Sequence, residues 1–327
     1  MAREAAARPF ADAARAINMD WATSLDAKHI QRWSEKLGRR VADQRETEAQ
    51  ACERGDRPAG PANDPPLLVI GVDGGRVQGR EMDAQTKSRW REDKVLTVTS
   101  MLPGDGGERK PQPLVTTHVG TMGDSHAFGR LAHVEAQRRG LRRSEEAVIV
   151  GDGAAWIDAL RERHFPGVPR IVDWFHAAEH LHEVARATHP QDAARREALA
   201  EMLKEHLWHG RLDEVLAELR RCGDAAGPPR EDDGPDHPRK VLAANAGYFE
   251  RHRAHMDYPA YRARGWPIGS GITESGVKQF NKRVKGTDQF WTVDGAEAIL
   301  ALRSMWLSQD DRWQRHWLGA TRRQTAA

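Results

Sequence analysis

The sequence has no long apolar run and only two cysteines, and each of these features argues against a class of protein. A membrane helix needs about 18 or more consecutive apolar residues, and no such run is present. The opening segment MAREAAARPFADAARAI lacks an apolar core and mixes acids with bases, which is not the pattern of a secretory signal. Cys52 and Cys222 are far apart and match no paired-cysteine motif, which argues against a Cys-based zinc finger. We therefore expect a protein of the reducing cytoplasm.

Net charge is also small, at +2, but the bases are concentrated in one stretch. With 327 residues, 39% of them hydrophobic and 30% charged, the chain suits one large globular domain with an insertion, or two ordinary domains. Between Arg251 and Phe290, eight Lys and Arg residues stand against three Asp and Glu residues. On a nearly neutral protein such an excess indicates a surface that faces a polyanion. A solvated charged face is the alternative interpretation.

The amino-terminal part reads as helical from residue 1 to about 50. The segment MDWATSLDAKHIQRWSEKLGRRV predicts two short helices with a turn near Ser24 to Asp26, which is a helix-turn-helix candidate. A plain helical packing element explains it equally well. Residues 51–66 are rich in Pro, Gly and Ala and predict a linker.

From residue 67 onwards the pattern changes to strands and helices. Strands are predicted at LLVIGVDGG, KVLTVTSML and PLVTTHVG, and a helix at DSHAFGRLAHVEAQRRG. Residues 146–185 then predict strand, helix, strand and helix, so the fold class is a mixed α/β sheet with helices packed on it. From about 190 to 257 the pattern is helical and predicts an all-helical insertion, and a further helix begins near Ile272.

The segment VDWFHAAEHLH contains H-x-x-E-H, the inverted zinc-peptidase signature. On a helix, His176 and His180 would lie at i and i+4 on one face, where both could reach a metal, with Glu179 between them. A zinc hydrolase is therefore one hypothesis for the chain.

Two acids follow buried strands and are each followed by glycine. Asp73 ends LLVIGVD and Asp152 ends AVIVGD. The carboxyl ends of strands in α/β sheets are where ligands bind, so the pair predicts a site. A helix cap or turn residue is the alternative, and Asp152 is well placed to cap a helix that begins at Ala154.

Glu274 is a third acid, in the first turn of the helix that PIGSGITESG opens. Its alternative role is a favourable charge near the helix amino terminus. The spacing of the following bases places several of them beside this carboxylate; they are Lys278, Lys282, Arg283 and Lys285. Three carboxylates without a thiolate are the ligands that Mg²⁺ or Mn²⁺ prefers, and two such ions can promote phosphodiester cleavage.

Five segments together resemble the DDE transposases of bacterial insertion sequences. They are VIGVDGGRV, VIVGDGAAWI, VDWFHAAEHL, GWPIGSGITESGVKQFNKRVKGTDQFW and AILALRSMW. The chain is most similar to the Kra-type group, which is related to the Mutator-like enzymes, and the resemblance covers roughly Leu67 to the end.

The resemblance implies an RNase H-like mixed sheet with an all-helical insertion between the second Asp and the Glu. It also implies that Asp73, Asp152 and Glu274 are the catalytic, metal-binding residues. The implied reaction is hydrolysis at the ends of the element with two Mg²⁺ or Mn²⁺ ions, followed by 3′-hydroxyl attack on target DNA. Mutator-like families carry an Asp or Cys, two residues and then a His after the second catalytic Asp, and Asp173 and His176 match this signature.

The resemblance further implies DNA as a partner, as terminal inverted repeats and target, with a homo-oligomer assembled on it in the nucleoid. We predict phosphate contacts from six bases: Arg262, Arg264, Lys278, Lys282, Arg283 and Lys285. Three tryptophans, Trp174, Trp266 and Trp291, could stack on an unpaired base, although core packing is the commoner role.

The chain departs from the resemblance at its amino terminus, where only about 66 residues precede the first strand. Relatives have a longer DNA-binding region, so residues 1–50 are expected to be a truncated one and residues 67–327 the catalytic domain. Two hypotheses follow. The first is an active transposase, and the second is an inactive remnant that only binds DNA.

Overall fold

The computed structural model describes residues 1–61, 63–84, 86–286 and 289–324, so positions 287 and 288 of the basic stretch lie outside the described residues. The centre of the fold is a five-stranded mixed sheet in the order β3-β2-β1-β4-β5. Its strands are β1 (Leu67–Gln78), β2 (Trp90–Leu102), β3 (Gln112–Thr121), β4 (Glu146–Gly151) and β5 (Arg170–Val172). β1, β2 and β3 pair antiparallel, whereas β4 runs parallel to β1 and to β5. The mixed α/β class is confirmed, and this sheet is compatible with an RNase H-like fold.

Helices surround the sheet and form the amino-terminal and later parts of the chain. The amino-terminal helices are α1 (Ala2–Ala7), α2 (Phe10–Trp21) and α3 (Ala27–Glu53). Between strands and after β5 come α4 (Ser125–Arg138), α5 (Ala155–His164) and α6 (Trp174–Thr188). The predicted insertion contains α7 (Ala193–Trp208), α8 (Leu212–Ala226), α9 (Pro238–Arg251) and a 3-10 turn (Arg253–His255), followed by α10 (Tyr258–Ala263). The last helices are α11 (Gly271–Val284), α12 (Val293–Leu307) and α13 (Arg312–Gln324). None of the helices in the described residues is long and apolar enough to cross a membrane.

The central strands are apolar along their length because both faces of the sheet are covered. On one face, Leu68 and Ile70 of β1 pack in a core with Phe128 of α4. On the other face, Val69 joins a core that includes Leu181 of α6. β1 does not end at Asp73, as the apolar run had suggested, but continues to Gln78 paired with β2. The residues beyond Asp73 stay in the sheet because Val77 packs beneath α11 and α12.

Helix α11 lies directly on β1 and β2 because small residues line the contact. A Cβ at Gly71 would fall 1.8 Å from Thr273 Oγ1, and one at Gly276 would fall 3.0 Å from Thr97 Cγ2. The hydroxyls of Thr97 and Thr273 share a hydrogen bond of 2.8 Å. This close packing fixes the first turn of α11 over β1.

The amino-terminal segment differs from the expected pair of short helices. The predicted turn is present between α2 and α3, and Asp26 caps α3 by accepting from the backbone N–H of His29 at 2.7 Å. However, α3 is one helix of 27 residues. It runs against α12, where a Cβ at Gly38 would lie 2.1 Å from the carbonyl oxygen of Ala298. In this structure the segment therefore packs on the rest of the chain.

The outer edge of β3 is covered by side chains of α12 and the loop after it. Ser304 Oγ accepts from the backbone N–H of Gly120 at 2.8 Å, and Ser308 Oγ accepts from that of His118 at 2.9 Å. These bonds satisfy donors that an edge strand would otherwise leave open to another chain.

Candidate active site

Asp73 lies in β1, and Asp152 directly follows the end of β4, the parallel strand beside β1. In the β1–β4 register Gly71 pairs with Val150, and continuing it by two residues sets Asp73 beside Asp152. Neighbouring strands are about 4.8 Å apart, so the two acids share this edge of the sheet. Asp73 Oδ1 accepts from the backbone N–H of Gly74 at 2.7 Å. Asp152 Oδ1 accepts from that of Ala154 at 2.9 Å, so Asp152 also has the turn role considered for it.

Glu274 reaches the same place from the first turn of α11. Ser270 Oγ donates to Glu274 Oε1 at 3.4 Å, and Lys278 Nζ lies 3.6 Å from Glu274 Oε2. Because Thr273 is seated on Gly71 of β1, the residue next to it is held near Asp73.

The electrostatics of Asp73 show that these groups act on one another. Burial raises the pKa of Asp73 to about 6, with the charges of Asp152 and Glu274 adding to the rise. The backbone N–H of Gly74 and the nearby His176 act in the opposite direction. Asp152, Glu274 and His176 therefore lie near enough to Asp73 for their charges to act on it.

Asp173 connects the two helices that carry His176 and Glu274. Its carboxylate is buried, and Oδ1 accepts from the backbone N–H groups of Phe175 at 2.5 Å and His176 at 3.1 Å. Its Oδ2 accepts from the backbone N–H of Ser270 at 2.6 Å, immediately before α11. Asp173 thus fixes the start of α6 relative to that of α11, and His176 Nε2 then lies 3.9 Å from Asp152 Oδ2.

The two histidines of H-x-x-E-H face different surroundings. Their ring centroids are 6.4 Å apart, and His176 faces Asp152. His180 instead turns to α9, where its Nδ1 lies 2.7 Å from Asn245 Oδ1 and its ring lies 3.9 Å from that of Tyr248. His180 therefore packs against α9.

Among the described residues, no three His, Cys, Asp or Glu side chains are close enough together to hold a metal ion. This applies to H-x-x-E-H and to the three acids alike. The donor set of Asp73, Asp152 and Glu274 nevertheless fits a hard cation such as Mg²⁺.

Three of the six bases predicted to contact DNA are exposed on α11 or directly after it. Lys278 and Lys282 lie on the helix after Glu274, and Lys285 is the residue that follows its end. Lys285 also lies 5.4 Å above the ring of Trp90. We call Lys278, Lys282 and Lys285 the lysine stripe.

The other three bases lie elsewhere. Arg283 is fully buried, where its Nε donates to the carbonyl oxygen of Ala5 at 2.6 Å and its guanidinium stacks on aromatic rings. Burial lowers the pKa of Arg283 to about 9. The side chain therefore presents no surface to a phosphate, which is a correction to the sequence-based expectation.

Arg262 and Arg264 lie at the opposite end of the sheet from the acids. Arg264 Nη1 is 4.0 Å from Glu146 Oε1, at the first residue of β4. Arg262 stacks on Trp208 at 3.8 Å and donates to its carbonyl oxygen at 2.8 Å. The structure does not bring these two arginines to the acids.

The tryptophans considered for base stacking are buried, and a phenylalanine is exposed instead. Trp174, Trp266 and Trp291 belong to the hydrophobic cores. Phe175, between Asp173 and His176, is 62% exposed and lies over Gly269, where a Cβ would be 2.9 Å from its ring. In the sequence, Phe175 could have been noticed because it directly precedes His176 in the motif.

A further acid, Asp93, was missed by the sequence analysis. It pairs with Gly75 across β1 and β2, so it lies on the same face of the sheet as Asp73. It is 1% exposed, and neither carboxylate oxygen has a hydrogen-bond partner among the described residues. Burial, with the charges of Glu92 and Asp73 adding to it, raises the pKa of Asp93 to about 6.

The chain matches no protein-family model and no curated protein. Among solved structures it is similar to a chain described as "Drosophila P element transposase strand transfer complex", with 10% sequence identity. The alignment covers 91% of this chain and 89% of that one, with a TM-score of 0.36. A similarity of this size carries no argument about function.

Proposed function

We propose that the chain is a DDE transposase that cleaves DNA and joins it to a target. The observation that supports the proposal is that the charges of Asp152 and Glu274 act on Asp73 at the carboxyl end of β1, with Lys278 of the lysine stripe 3.6 Å from Glu274. The three carboxylates would hold two Mg²⁺ or Mn²⁺ ions. Such ions, when bound, supply an activated water and stabilise the leaving oxygen of a phosphodiester.

The residues around the acids would bind and orient the DNA. The lysine stripe would hold backbone phosphates without reading sequence. Asp173 would position His176 and the first turn of α11, and His176 would orient Asp152. Phe175 is placed to contact an unstacked base.

The proposed reaction has two steps at the same site. Water first attacks a phosphorus atom at an end of the element, which releases a 3′-hydroxyl and leaves a 5′-phosphate. The freed 3′-hydroxyl then attacks a phosphodiester of target DNA and displaces the target's own 3′-oxygen. Because two ends must be joined to one target, we propose that at least two copies assemble on DNA.

The competing hypothesis is a remnant that binds DNA without cutting it. Binding and cleavage therefore have to be measured separately.

The test uses duplex DNA carrying terminal inverted repeats from either side of the coding region, with Mg²⁺ or Mn²⁺. We expect the wild-type chain to release 3′-hydroxyl ends, and Asp73→Asn, Asp152→Asn and Glu274→Gln to bind the DNA but leave it uncut. Glu205→Gln, an exposed change on α7, serves as the matched control and should cut normally. Binding by the wild-type chain without metal-dependent cleavage would support the remnant, and full cleavage by Glu274→Gln would overturn the assignment of that residue.

A further inference from the structure

A second candidate binding site lies away from the three acids, at the outer edge of β3. It is a cavity of about 350 Å³ bounded by residues of α3, β3, α4, α12 and α13. Its walls combine apolar side chains with charged and polar ones, several of them buried.

Arg45 of α3 is the residue in this cavity with unused hydrogen-bonding capacity. Its Nη2 donates to the carbonyl oxygen of Gly120 at 3.1 Å and lies 3.7 Å from Glu297 Oε1. Its Nε and Nη1 are buried, and neither has a partner among the described residues. Each of these N–H groups is a charge-assisted donor for an oxygen of an anion.

The acids of the cavity wall are already engaged by other arginines. Glu135 accepts from Arg138 at 2.6 Å and from Arg312 at 2.5 Å, and Arg312 Nε also donates to Asp310 at 2.7 Å. Arg138 Nη2 further donates to Glu48 at 2.5 Å. The carboxylates of the cavity wall therefore pair with Arg138 and Arg312 rather than with Arg45.

Glu297 forms an ion pair with Nη2 of Arg45 but leaves Nε and Nη1 without a partner among the described residues. Glu297 Oε2 accepts from Thr121 Oγ1 at 2.8 Å and from the N–H of Met122 at 2.7 Å. Burial lowers the pKa of Arg45, and the charges of Glu297 and Glu135 only partly oppose this. An added anion would stabilise the buried guanidinium.

His118 supplies a second unused nitrogen. It lines the same cavity, is 6% exposed, and its Nδ1 is buried with no partner among the described residues. Burial lowers the pKa of His118 to about 4, so the imidazole is neutral near pH 7. In the tautomer with a proton on Nδ1 it can donate a hydrogen bond without needing a charge.

We propose that this cavity binds a small free oxyanion of the phosphate type, held by one of the unpartnered N–H groups of Arg45 and by Nδ1 of His118. The cavity has room for a phosphate and its attached waters. The site is separate from the three acids, and the proposal does not depend on the transposase assignment.

The first experiment titrates the whole chain with inorganic phosphate by isothermal titration calorimetry, with chloride at equal ionic strength as the reference. We expect saturable phosphate binding and a melting temperature that rises with phosphate but not with chloride. Arg45→Met should weaken the affinity by roughly ten-fold or more, because it removes charge-assisted hydrogen bonds. Arg40→Met, an exposed change on the same helix, should leave the affinity unchanged.

A second measurement covers the case in which Arg45→Met fails to fold. Nitrogen–proton NMR of arginine side chains in the wild-type chain should show the Nε–H of Arg45 shifting with phosphate and saturating at the calorimetric affinity. Binding that is absent in the wild type, or equal in a folded Arg45→Met, would overturn the proposal. A short oligonucleotide that displaces the phosphate would also overturn it, because the anion would then belong to nucleic acid.

Discussion

Asp93 and Asp73 are two acids on one face of the sheet with opposite surroundings. Asp73 accepts a hydrogen bond from Gly74, whereas neither carboxylate oxygen of Asp93 has a hydrogen-bond partner among the described residues. A buried carboxylate without a partner destabilises the folded chain whenever it is ionised. The two residues therefore give different pH predictions.

For Asp93 the prediction concerns stability. Its folded pKa, about 6, is above the value in an unfolded chain, so the wild type loses stability as pH rises from about 4 to 6. Asp93→Asn should remove this loss and gain about 2–3 kcal/mol relative to wild type between pH 4.5 and 7.5. Urea unfolding at both pH values measures the difference, with the exposed Asp20→Asn as control. An equal effect of Asp93→Asn at both pH values would contradict the prediction.

For Asp73 the prediction concerns metal affinity. A carboxylate must lose its proton before it can bind a cation, so Mn²⁺ affinity should fall as pH drops below about 6, the pKa of Asp73. We expect a roughly ten-fold loss per pH unit below that point and a plateau above it. Calorimetry with Mn²⁺ from pH 5 to 8 measures the profile. Asp73→Asn should abolish it, and an unchanged affinity across the range would argue against Asp73 as a ligand.

At the scale of elements, the starts of α6 and α11 depend on a single carboxylate. Asp173→Ala removes acceptors for the backbone N–H groups of Phe175, His176 and Ser270. We expect a loss of about 2–4 kcal/mol, because a helix cap and a buried donor lose their partner together. Asp192→Ala, which removes the exposed cap of α7, is the matched control and should cost about 1 kcal/mol. If chemical denaturation gives the same loss of unfolding free energy for Asp173→Ala and Asp192→Ala, the contact with Ser270 adds nothing to stability.

The covered edge of β3 gives a second prediction about elements. Ser304→Ala leaves the backbone N–H of Gly120 buried without its acceptor, so we expect a loss of about 1–3 kcal/mol. The exposed Ser275→Ala on α11 should change stability by less than about 0.5 kcal/mol. Thermal unfolding of both variants makes the comparison, and similar melting temperatures would show that the edge does not need the hydroxyl.

The sequence was sufficient to predict elements whose apolar pattern is continuous or strictly periodic. The runs before Asp73 and Asp152 predicted β1 and β4, because only strands covered on both faces remain apolar throughout. The end of β1 was wrong because Val77 is buried by α11 and α12, helices that lie far along the chain. The length of α3 was also wrong, since its packing against α12 is not visible in local turn signals.

The site itself was predicted unevenly. From the sequence, four bases were placed beside Glu274: Lys278, Lys282, Arg283 and Lys285. Helical geometry puts Arg283 on a different side from the other three. At about 100° per residue, Lys278, Lys282 and Lys285 fall within about 80° of Glu274, whereas Arg283 falls on the opposite side of the helix. Asp93 could not be found this way, because its burial depends on pairing with Gly75 of another strand.

At the scale of the whole molecule, the exposed bases that were predicted to contact DNA are divided between the two ends of the sheet. The lysine stripe lies beside the acids, whereas Arg264 lies near the start of β4. If DNA binds across the acids, each of Lys278→Gln, Lys282→Gln and Lys285→Gln should reduce the salt dependence of DNA affinity by about one phosphate contact. Arg264→Gln should leave it unchanged. Fluorescence anisotropy at several salt concentrations tests this. A larger effect of Arg264→Gln than of the lysine changes would indicate that DNA binds at the end of the sheet where β4 starts.

The first helix of the chain is held by residues close to the other end of the described chain. The carbonyl oxygens of Ala5 and Ala6 in α1 accept from buried Arg283 and Arg303 of α11 and α12. During synthesis on the ribosome, these two carbonyl oxygens cannot meet their arginine donors until α11, which also carries Glu274, and α12 have been made. Docking of α1 and completion of the acid group therefore belong to the same late step of biosynthesis, and a nascent chain released before that step would have neither.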